Sequence, residues 1–143
     1  MAKVIMLMPE DFLRRLSALG EKSDEITGKV LQAGGAAVLA KVKNNMTAVV
    51  GRDTKMRSRS TGELAGALGL SAPRLDRDGN FNVKVGFAEP RASGTSNAML
   101  ANILEYGKHG QPAKPFLKPA VRAAKSAAQA AMKEAFEEEV NRL

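Results

Sequence analysis

Few residues of this chain could do chemistry, and they are scattered. His109 is the single histidine among 143 residues, and it lies in the sequence Gly-Lys-His-Gly. A lone histidine in such a loop is usually solvent-exposed rather than an acid, a base or a ligand. Glu137, Glu138 and Glu139 are consecutive, so on a helix their carboxylates diverge instead of converging on one metal ion. No glycine-rich phosphate loop, nucleophile elbow or zinc helix motif occurs either. We therefore predict no catalytic residue, no metal site, no cofactor and no enzymatic activity.

Glu105 and Tyr106 are the one polar pair with a clear potential for binding. They stand at the predicted end of a short helix, and Tyr106 is the only tyrosine. A tyrosine combines a large apolar face with a polar tip, which suits an interface. The alternative is that Tyr106 packs internally while Glu105 caps or pairs locally. With Lys108 and His109 in the loop that follows, these residues are candidate interface or assembly residues.

The charge of the chain is strongly positive. Twenty-two basic residues stand against fifteen acidic ones, for a net charge of +7, which permits binding to nucleic acid or to an acidic surface. Arg52, Lys55, Arg57 and Arg59 make a compact basic loop at 51–60. No aromatic residue lies between them to stack a base, and the loop has almost nothing apolar to order it in an isolated subunit. We predict a mobile assembly arm that orders between subunits.

The lack of cysteines, of a signal peptide and of a membrane span in the sequence indicates where the protein is located. The sequence has no cysteine, which excludes disulfides, thiolate catalysis and cysteine-ligated zinc and fits a reducing cytoplasm. The apolar run near the N-terminus meets Pro9, Glu10 and Asp11 too early for a signal peptide. No segment has the length of a membrane span. We expect a cytoplasmic location and no membrane partner.

The first half of the chain predicts two helices after a short strand or arm at residues 4–7. Pro9 begins a helix that stops at Gly20, and Ser23 is the expected N-cap of a long helix that runs to about Asn45. The pair Gly34-Gly35 in its middle costs roughly 1 kcal/mol per glycine relative to alanine. We therefore expect that this pair permits a close approach of another helix.

The middle of the chain predicts a short helix and a hairpin. Ser60 and Glu63 have capping-box spacing, with Leu64, Leu68 and Leu70 on the apolar side of the helix that follows. Asp78-Gly79 is a tight-turn signal. Alternating apolar residues then predict a strand that covers the long helices, at Phe81, Val83, Val85 and Phe87.

The last third predicts two helices joined by a stiff crossing. Ser96 caps a helix with Met99, Ile103 and Tyr106 on one side, and Gly107 ends it. Pro112 and Pro115 stiffen the crossing, Phe116 anchors it in the core, and Pro119 is acceptable in the first turn of the final helix. The apolar stripe predicted for that helix consists of Val121, Ala124, Ala128, Met132, Phe136, Val140 and Leu143. The predicted fold is α+β, with a long N-terminal helix and a long C-terminal helix packed on a small antiparallel β-sheet.

Four ordered motifs carry a resemblance to a known family. They are TGEL at 61–64, VKVGF at 83–87, LEYG at 104–107 and QPAKPFLKPA at 111–120. In this order they resemble the tail-completion or head-to-tail joining proteins of long-tailed phages, typified by gene product ten of phage HK-ninety-seven. The chain departs from the usual pattern after Gly107, where Lys108 replaces a frequent threonine. The structural motif residues are Gly62, Leu64, Gly86, Gly107, Pro112, Pro115, Phe116 and Pro119.

The resemblance implies a single tail-completion-like domain over residues 1–143, without catalytic residues. Such a subunit would form a homo-oligomeric ring, expected to be a hexamer, at the virion neck between portal-side connector and tail tube proteins. Before that it would be in the host bacterial cytoplasm. The alternative is a small basic nucleic-acid-binding protein, motivated by the net charge of +7. A neck subunit needs at most weak, non-specific DNA contact, whereas a DNA binder shows tight binding that falls steeply with salt.

Overall fold

The computed structural model describes residues 10–50, 63–88 and 96–143. It confirms the predicted α+β fold, with a long helix towards each end of the chain and short antiparallel strand pairs between them. The predictions for residues 4–7, for the basic loop at 51–60 and for Gly62 lie outside the described residues. The elements are α1 Glu10–Glu21, α2 Ser23–Val49, α3 Glu63–Ala67, β1 Leu68–Leu70, β2 Arg74–Leu75, β3 Phe81–Asn82, β4 Val85–Phe87, α4 Asn97–Tyr106 and α5 Leu117–Asn141.

The helix α2 differs from the prediction at both ends. Ser23 is its first residue instead of its N-cap, and Lys22 takes the cap position without a side-chain hydrogen bond. Asp24 and Glu25 remain in the first turn, where their charges complement the helix dipole. The helix continues past Asn45 to Val49 because Met46 is fully buried in the core and prolongs the apolar side.

The core lies where α5 crosses α2. Val42 and Met46 of α2 meet Phe116 and Ala120 at the start of α5, and all four are fully buried. Ala124 and Ala128 continue this inward line one and two turns further along α5. Their small side chains let the helix axes approach closely. The predicted stripe is wrong at Val121 and Phe136, which are exposed, because Ala120 takes the buried position and the contact line of α5 follows the alanines.

The glycine pair of α2 confirms the expected close packing. A Cβ atom on Gly34 would lie 2.7 Å from Cγ of Met132 in α5. On Gly35 it would lie 2.6 Å from Cδ1 of Leu70 and 3.2 Å from Cγ2 of Val83. α5 therefore packs closely on Gly34, and the side chains of Leu70 and Val83 pack closely on Gly35.

The strand predicted from Phe81 to Phe87 is divided between two pairings. Its first part, β3, pairs with β2 in the register Leu75↔Phe81. The turn between them forms at Asp76, whose Oδ1 accepts the backbone N–H groups of Asp78 at 2.8 Å and Asn80 at 3.0 Å. Gly79 has a φ of 81°, which confirms the turn predicted at Asp78-Gly79.

The second part, β4, pairs with β1. The register is Leu68↔Phe87 and Leu70↔Val85, so Leu68 and Leu70 do not belong to the short helix as predicted. Pairing with β4 packs Leu68 against the core cluster, and the glycine between the two leucines disfavours a helix. Between the two strand pairs, Oγ of Ser71 accepts the backbone N–H of Lys84 at 2.8 Å. The hairpin is thereby held together where the regular ladder is interrupted.

Alanine at Gly35 tests the close packing. Alanine in a helix is favoured over glycine by about 1 kcal/mol, but at position 35 its methyl group overpacks Leu70 and the stiff Val83, at a cost of about 1–3 kcal/mol. Gly20→Ala is the matched control because nothing lies within 4 Å of a Cβ there. In urea unfolding, Gly20→Ala is expected to stabilise the protein, and Gly35→Ala to be about 1–3 kcal/mol less stable than that control. Equal stabilisation by both substitutions would rule out the close approach.

Candidate assembly site

Glu105, Tyr106, Lys108 and His109 lie within residues 96–120, here called the α4–α5 corner. Ser96 caps α4 as predicted, its Oγ accepting the N–H of Met99 at 3.2 Å. After α4, Lys108 and Gln111 exchange backbone hydrogen bonds of 3.0 and 2.9 Å around a tight turn. The N–H of Lys114 then donates to the carbonyl of Leu104 at 2.8 Å. Hydrogen bonds thus tie the returning chain back onto α4.

Glu105 forms the central contact of the corner. It is 5% exposed, and its carboxylate accepts the backbone N–H groups of Phe116 and Leu117 at 2.8 Å and of Lys118 at 3.0 Å. The first N–H groups of a helix have no partner within the helix, and the residue before α5 supplies no side-chain cap. A carboxylate from α4 therefore caps α5 and places negative charge at the positive end of its dipole.

The pKa of Glu105 lies below its ordinary value. Burial is the largest single influence and raises the pKa, but the hydrogen bonds from Leu117, Lys118 and Phe116 together with the charge of Lys118 outweigh it. Hydrogen bonds to a carboxylate favour its ionised form. Glu105 is thus charged when it caps α5.

Gly107 permits the reversal of the chain. Its φ of 79° and ψ of 177° belong to a region that is essentially restricted to glycine. A Cβ atom there would lie 2.7 Å from the backbone N of Ala113 and 2.8 Å from the backbone O of Gln111. The crossing therefore passes directly over the position that a side chain would take.

Phe116 anchors the crossing, as expected. Its side chain is 0% exposed, and its ring meets that of Phe87 edge to face with the centroids 6.3 Å apart. Nδ2 of Asn45 donates to its carbonyl oxygen at 3.2 Å. Among the other motif residues, Leu64 packs against the core and Gly86 pairs in β4, Pro119 lies in the first turn of α5, and Pro112 and Pro115 are exposed on the crossing.

The outer face of the corner presents Tyr106. Its side chain is 60% exposed, and Nζ of Lys118 lies 4.8 Å from the ring centroid, a cation–π contact. Of the alternatives for the Glu105–Tyr106 pair, Glu105 therefore caps locally while Tyr106 points outward. Lys108 and His109 are also exposed. Met99 shares this outer side of α4, whereas Ala101 and Leu104 face the core.

Two long-range contacts are not predicted by the sequence: one joins α5 to α2, and the other joins α4 to the residue after β4. The carboxylate of Glu139 is 3.3 Å from Nζ of Lys29 and 3.1 Å from Nη1 of Arg142, so it links α5 to α2. The spacing of Glu139 and Arg142 indicates their pairing along one helix, but nothing in the sequence indicates the contact with Lys29. Asn97 is buried, and its Nδ2 donates to the carbonyl of Ala88 at 2.8 Å; nothing in the sequence indicates that contact.

The other sequence predictions concern the basic loop, metal binding and membrane spans. Arg52, Lys55, Arg57 and Arg59 lie outside the described residues. Across 10–50, 63–88 and 96–143, no group of histidine and acidic side chains could hold a metal ion. Within the same ranges, none of the helices is long and apolar enough to cross a membrane.

Fold and site together define a small α+β protein with a rigid, partly apolar corner and no assembled catalytic group among the described residues. The chain matches the family model described as "Bacteriophage HK97-gp10, putative tail-component" over residues 10–107. It belongs to this family, which confirms the resemblance and makes it a phage tail-related structural protein. Such structural components are typically non-enzymatic. Comparison with curated proteins and with solved structures gives no match.

Alanine substitutions at Gly107 and at Gly110 distinguish the cost of the backbone conformation from the cost of a steric clash. Both glycines have a φ of 79°, but nothing lies within 4 Å of a Cβ at Gly110. Gly110→Ala is expected to cost about 1–2 kcal/mol through its backbone conformation alone. Gly107→Ala adds a clash with backbone atoms and should cost about 3 kcal/mol or more. Similar losses in thermal unfolding would contradict the described crossing.

Glu105→Gln tests the cap through its pH dependence. The folded pKa is depressed below the ordinary value of 4.5, so the stabilisation is complete above that value and is lost as the pH falls through the folded pKa. Replacement of the charged acceptor should lower the free energy of unfolding by about 2–3 kcal/mol at pH 7. Urea unfolding from pH 7 to pH 3 should show this difference shrinking in acid. The exposed Glu138→Gln is the control and should change stability little. A difference between Glu105→Gln and the parent that is independent of pH would contradict the account.

Proposed function

We propose that this protein is a structural subunit of the neck of a long-tailed phage or prophage virion. Copies of the chain form a closed ring, a hexamer, that joins or completes the tail at the head. Its neighbours are portal-side connector and tail tube proteins, and it assembles in the host bacterial cytoplasm. The observation that carries this proposal is the family match over residues 10–107, because the family consists of phage tail components.

The geometry of the corner supports an assembly role. The polar groups that bridge the two helices are satisfied within the subunit, since Glu105 takes three backbone N–H groups. The side chains left outside are an aromatic ring with a cation stacked on it and apolar Met99. Interfaces are enriched in tyrosine and methionine, and a preorganised surface loses less entropy on association. The corner thus suits binding to a protein better than chemistry.

The basic loop is the second part of the proposal. Arg52, Lys55, Arg57 and Arg59 form an assembly arm that orders between subunits or against an acidic neighbour, so that its ordering entropy is lost only on assembly. Replacement of these four residues by serine should reduce ring formation and head-to-tail joining.

A nucleic-acid-binding protein is the second candidate, favoured by the net charge of +7. A specific binder would hold duplex DNA tightly, with log affinity falling linearly and steeply with log salt. A neck subunit would bind DNA weakly and without sequence preference. A salt titration of duplex binding separates the two.

Tyr106→Ser tests the assembly role of the corner in a phage or prophage that carries the gene. Tyr106 and Leu75 are both 60% exposed, so Leu75→Ser on the hairpin is the matched control. Loss of a central aromatic contact costs about 2 kcal/mol per interface, or roughly thirty-fold in affinity. We expect Tyr106→Ser to leave monomer stability unchanged while unjoined heads and tails accumulate under the electron microscope.

The same experiment can refute the neck assignment. Deletion of the whole gene should leave heads and tails unjoined. Normal virions from the deletion would refute the assignment, and normal virions from Tyr106→Ser alone would remove the corner from the interface.

A further inference from the structure

The charges on α5 are divided unevenly along its length: basic residues alone occupy the first half, and glutamates outnumber the one exposed lysine, Lys133, in the second. Lys118, Arg122 and Lys125 recur at helical spacing in its first half and are exposed; they are called the basic stripe. Glu134, Glu137 and Glu138 do the same in its second half; they are called the acidic stripe. No acidic residue lies between 117 and 130, so the first half is purely basic.

This arrangement opposes the electrostatics of an isolated helix. Lys118 in the first turn and Glu138 in the last turn are each unfavourable with respect to the helix dipole. Within each stripe, side chains of like charge are also four residues apart and repel each other. No member of either stripe forms an ion pair with another described residue. Arg122 and Lys125 therefore have no anionic partner in the described part of the subunit, Lys118 contacts the Tyr106 ring, and Lys133 offsets only part of the charge of the three glutamates.

Glu139 follows the acidic stripe directly but differs from it, because it has ion-pair partners within the subunit. It is adjacent to Glu138 in sequence but is turned towards α2, where Lys29 contacts its carboxylate, and Arg142 at the end of α5 also pairs with it. The subunit thus neutralises the glutamate that its own packing requires. The exposed carboxylates of Glu134, Glu137 and Glu138 are available to cations of another molecule.

The two stripes cannot meet within one subunit. With a rise of 1.5 Å and a turn of 100° per residue, their centres lie about 22 Å apart along α5 and roughly 145° apart around it. They therefore face different directions. Two complementary patches on different sides of one chain are what a head-to-tail contact between identical subunits requires, and such contacts form a ring where the rotation from copy to copy closes.

We propose that the acidic stripe of one copy docks on the basic stripe of the next copy. The inference rests on the proposed ring function and names its interface. Val121 is exposed within the basic stripe, one turn from both Lys118 and Lys125, and adds apolar area to the contact. DNA would use only the basic stripe and would be repelled by the acidic one, so a second copy fits both.

Charge reversal tests the pairing. The basic-reversed chain carries Arg122→Glu and Lys125→Glu, and the acid-reversed chain carries Glu134→Lys and Glu138→Lys. Each alone should lose self-association at least thirty-fold in sedimentation velocity and form no rings under the electron microscope. An equimolar mixture should regain assembly, because alternating copies restore every acidic-to-basic contact. Lys41→Glu with Lys43→Glu on α2 makes the same charge change elsewhere and should assemble like the parent.

Cysteine trapping detects the contact even if association is weak. The chain has no native cysteine. Positions 122 and 138 lie about 24 Å apart on one helix, too far for a bridge within a subunit. A mixture of Arg122→Cys and Glu138→Cys chains should form disulfide-linked dimers at least ten times faster than either chain alone. Bridging no faster than a Lys41→Cys control, or equally fast bridging of Arg122→Cys alone, overturns the proposal.

The outcomes separate this inference from the neck assignment. If parent rings occupy the neck and both charge-reversed chains also assemble, the interface is wrong while the proposed function stands. If the basic-reversed chain loses only DNA binding, the basic stripe serves nucleic acid and the docking proposal fails. If the chain is absent from the virion neck, the proposed function fails, whereas disulfide trapping in solution still decides the interface.

Discussion

The corner depends on one ionised carboxylate meeting three backbone N–H groups. The chain enters α5 without a local side-chain cap, so the amides of Phe116, Leu117 and Lys118 need an acceptor from elsewhere. Glu105 supplies it from α4 and fixes the start of α5 against the end of α4. This contact holds Phe116 in the core and sets α5 at the position from which its alanines pack on α2. A shift of the cap would move every residue that α5 presents.

Carboxylates that join elements of the fold have partners within the subunit, whereas the groups proposed to bind a neighbour are exposed. Glu105 and Glu139 are held by partners in the subunit, whereas Tyr106 and the two stripes of α5 face solvent. The family match ends at Gly107, before the crossing and α5. Interface charges govern the choice of partner more than the stability of the fold, so the two stripes can serve docking without contributing to the core.

Local chemistry explains what could be predicted from sequence. The Asp78-Gly79 turn and the Ser96 cap each depend on residues close in the chain, and both are confirmed. The burial of Phe116, predicted from its position directly after Pro115, is also confirmed, although its contacts come from distant residues. The role of Glu105 was left open because its partners are backbone groups that only the folded crossing brings near. Leu68 and Leu70 were misplaced because their strand exists only through pairing with β4. On α5, the prediction holds for Ala124 and Ala128, which are buried, but begins the stripe at Val121 instead of Ala120, because close helix packing selects the small residue. The basic loop at 51–60 stays a prediction.

The most direct test of the cap is backbone amide exchange measured by NMR. At pH 7 the amides of Phe116, Leu117 and Lys118 should exchange on the order of a hundredfold more slowly than those of Ser23, Asp24 and Glu25, in the first turn of α2, which has no side-chain cap. In Glu105→Gln this protection should be largely lost while the rest of α5 remains protected. Equal exchange in the two first turns, or protection unaffected by the substitution, would contradict the account that Glu105 holds α5 in place.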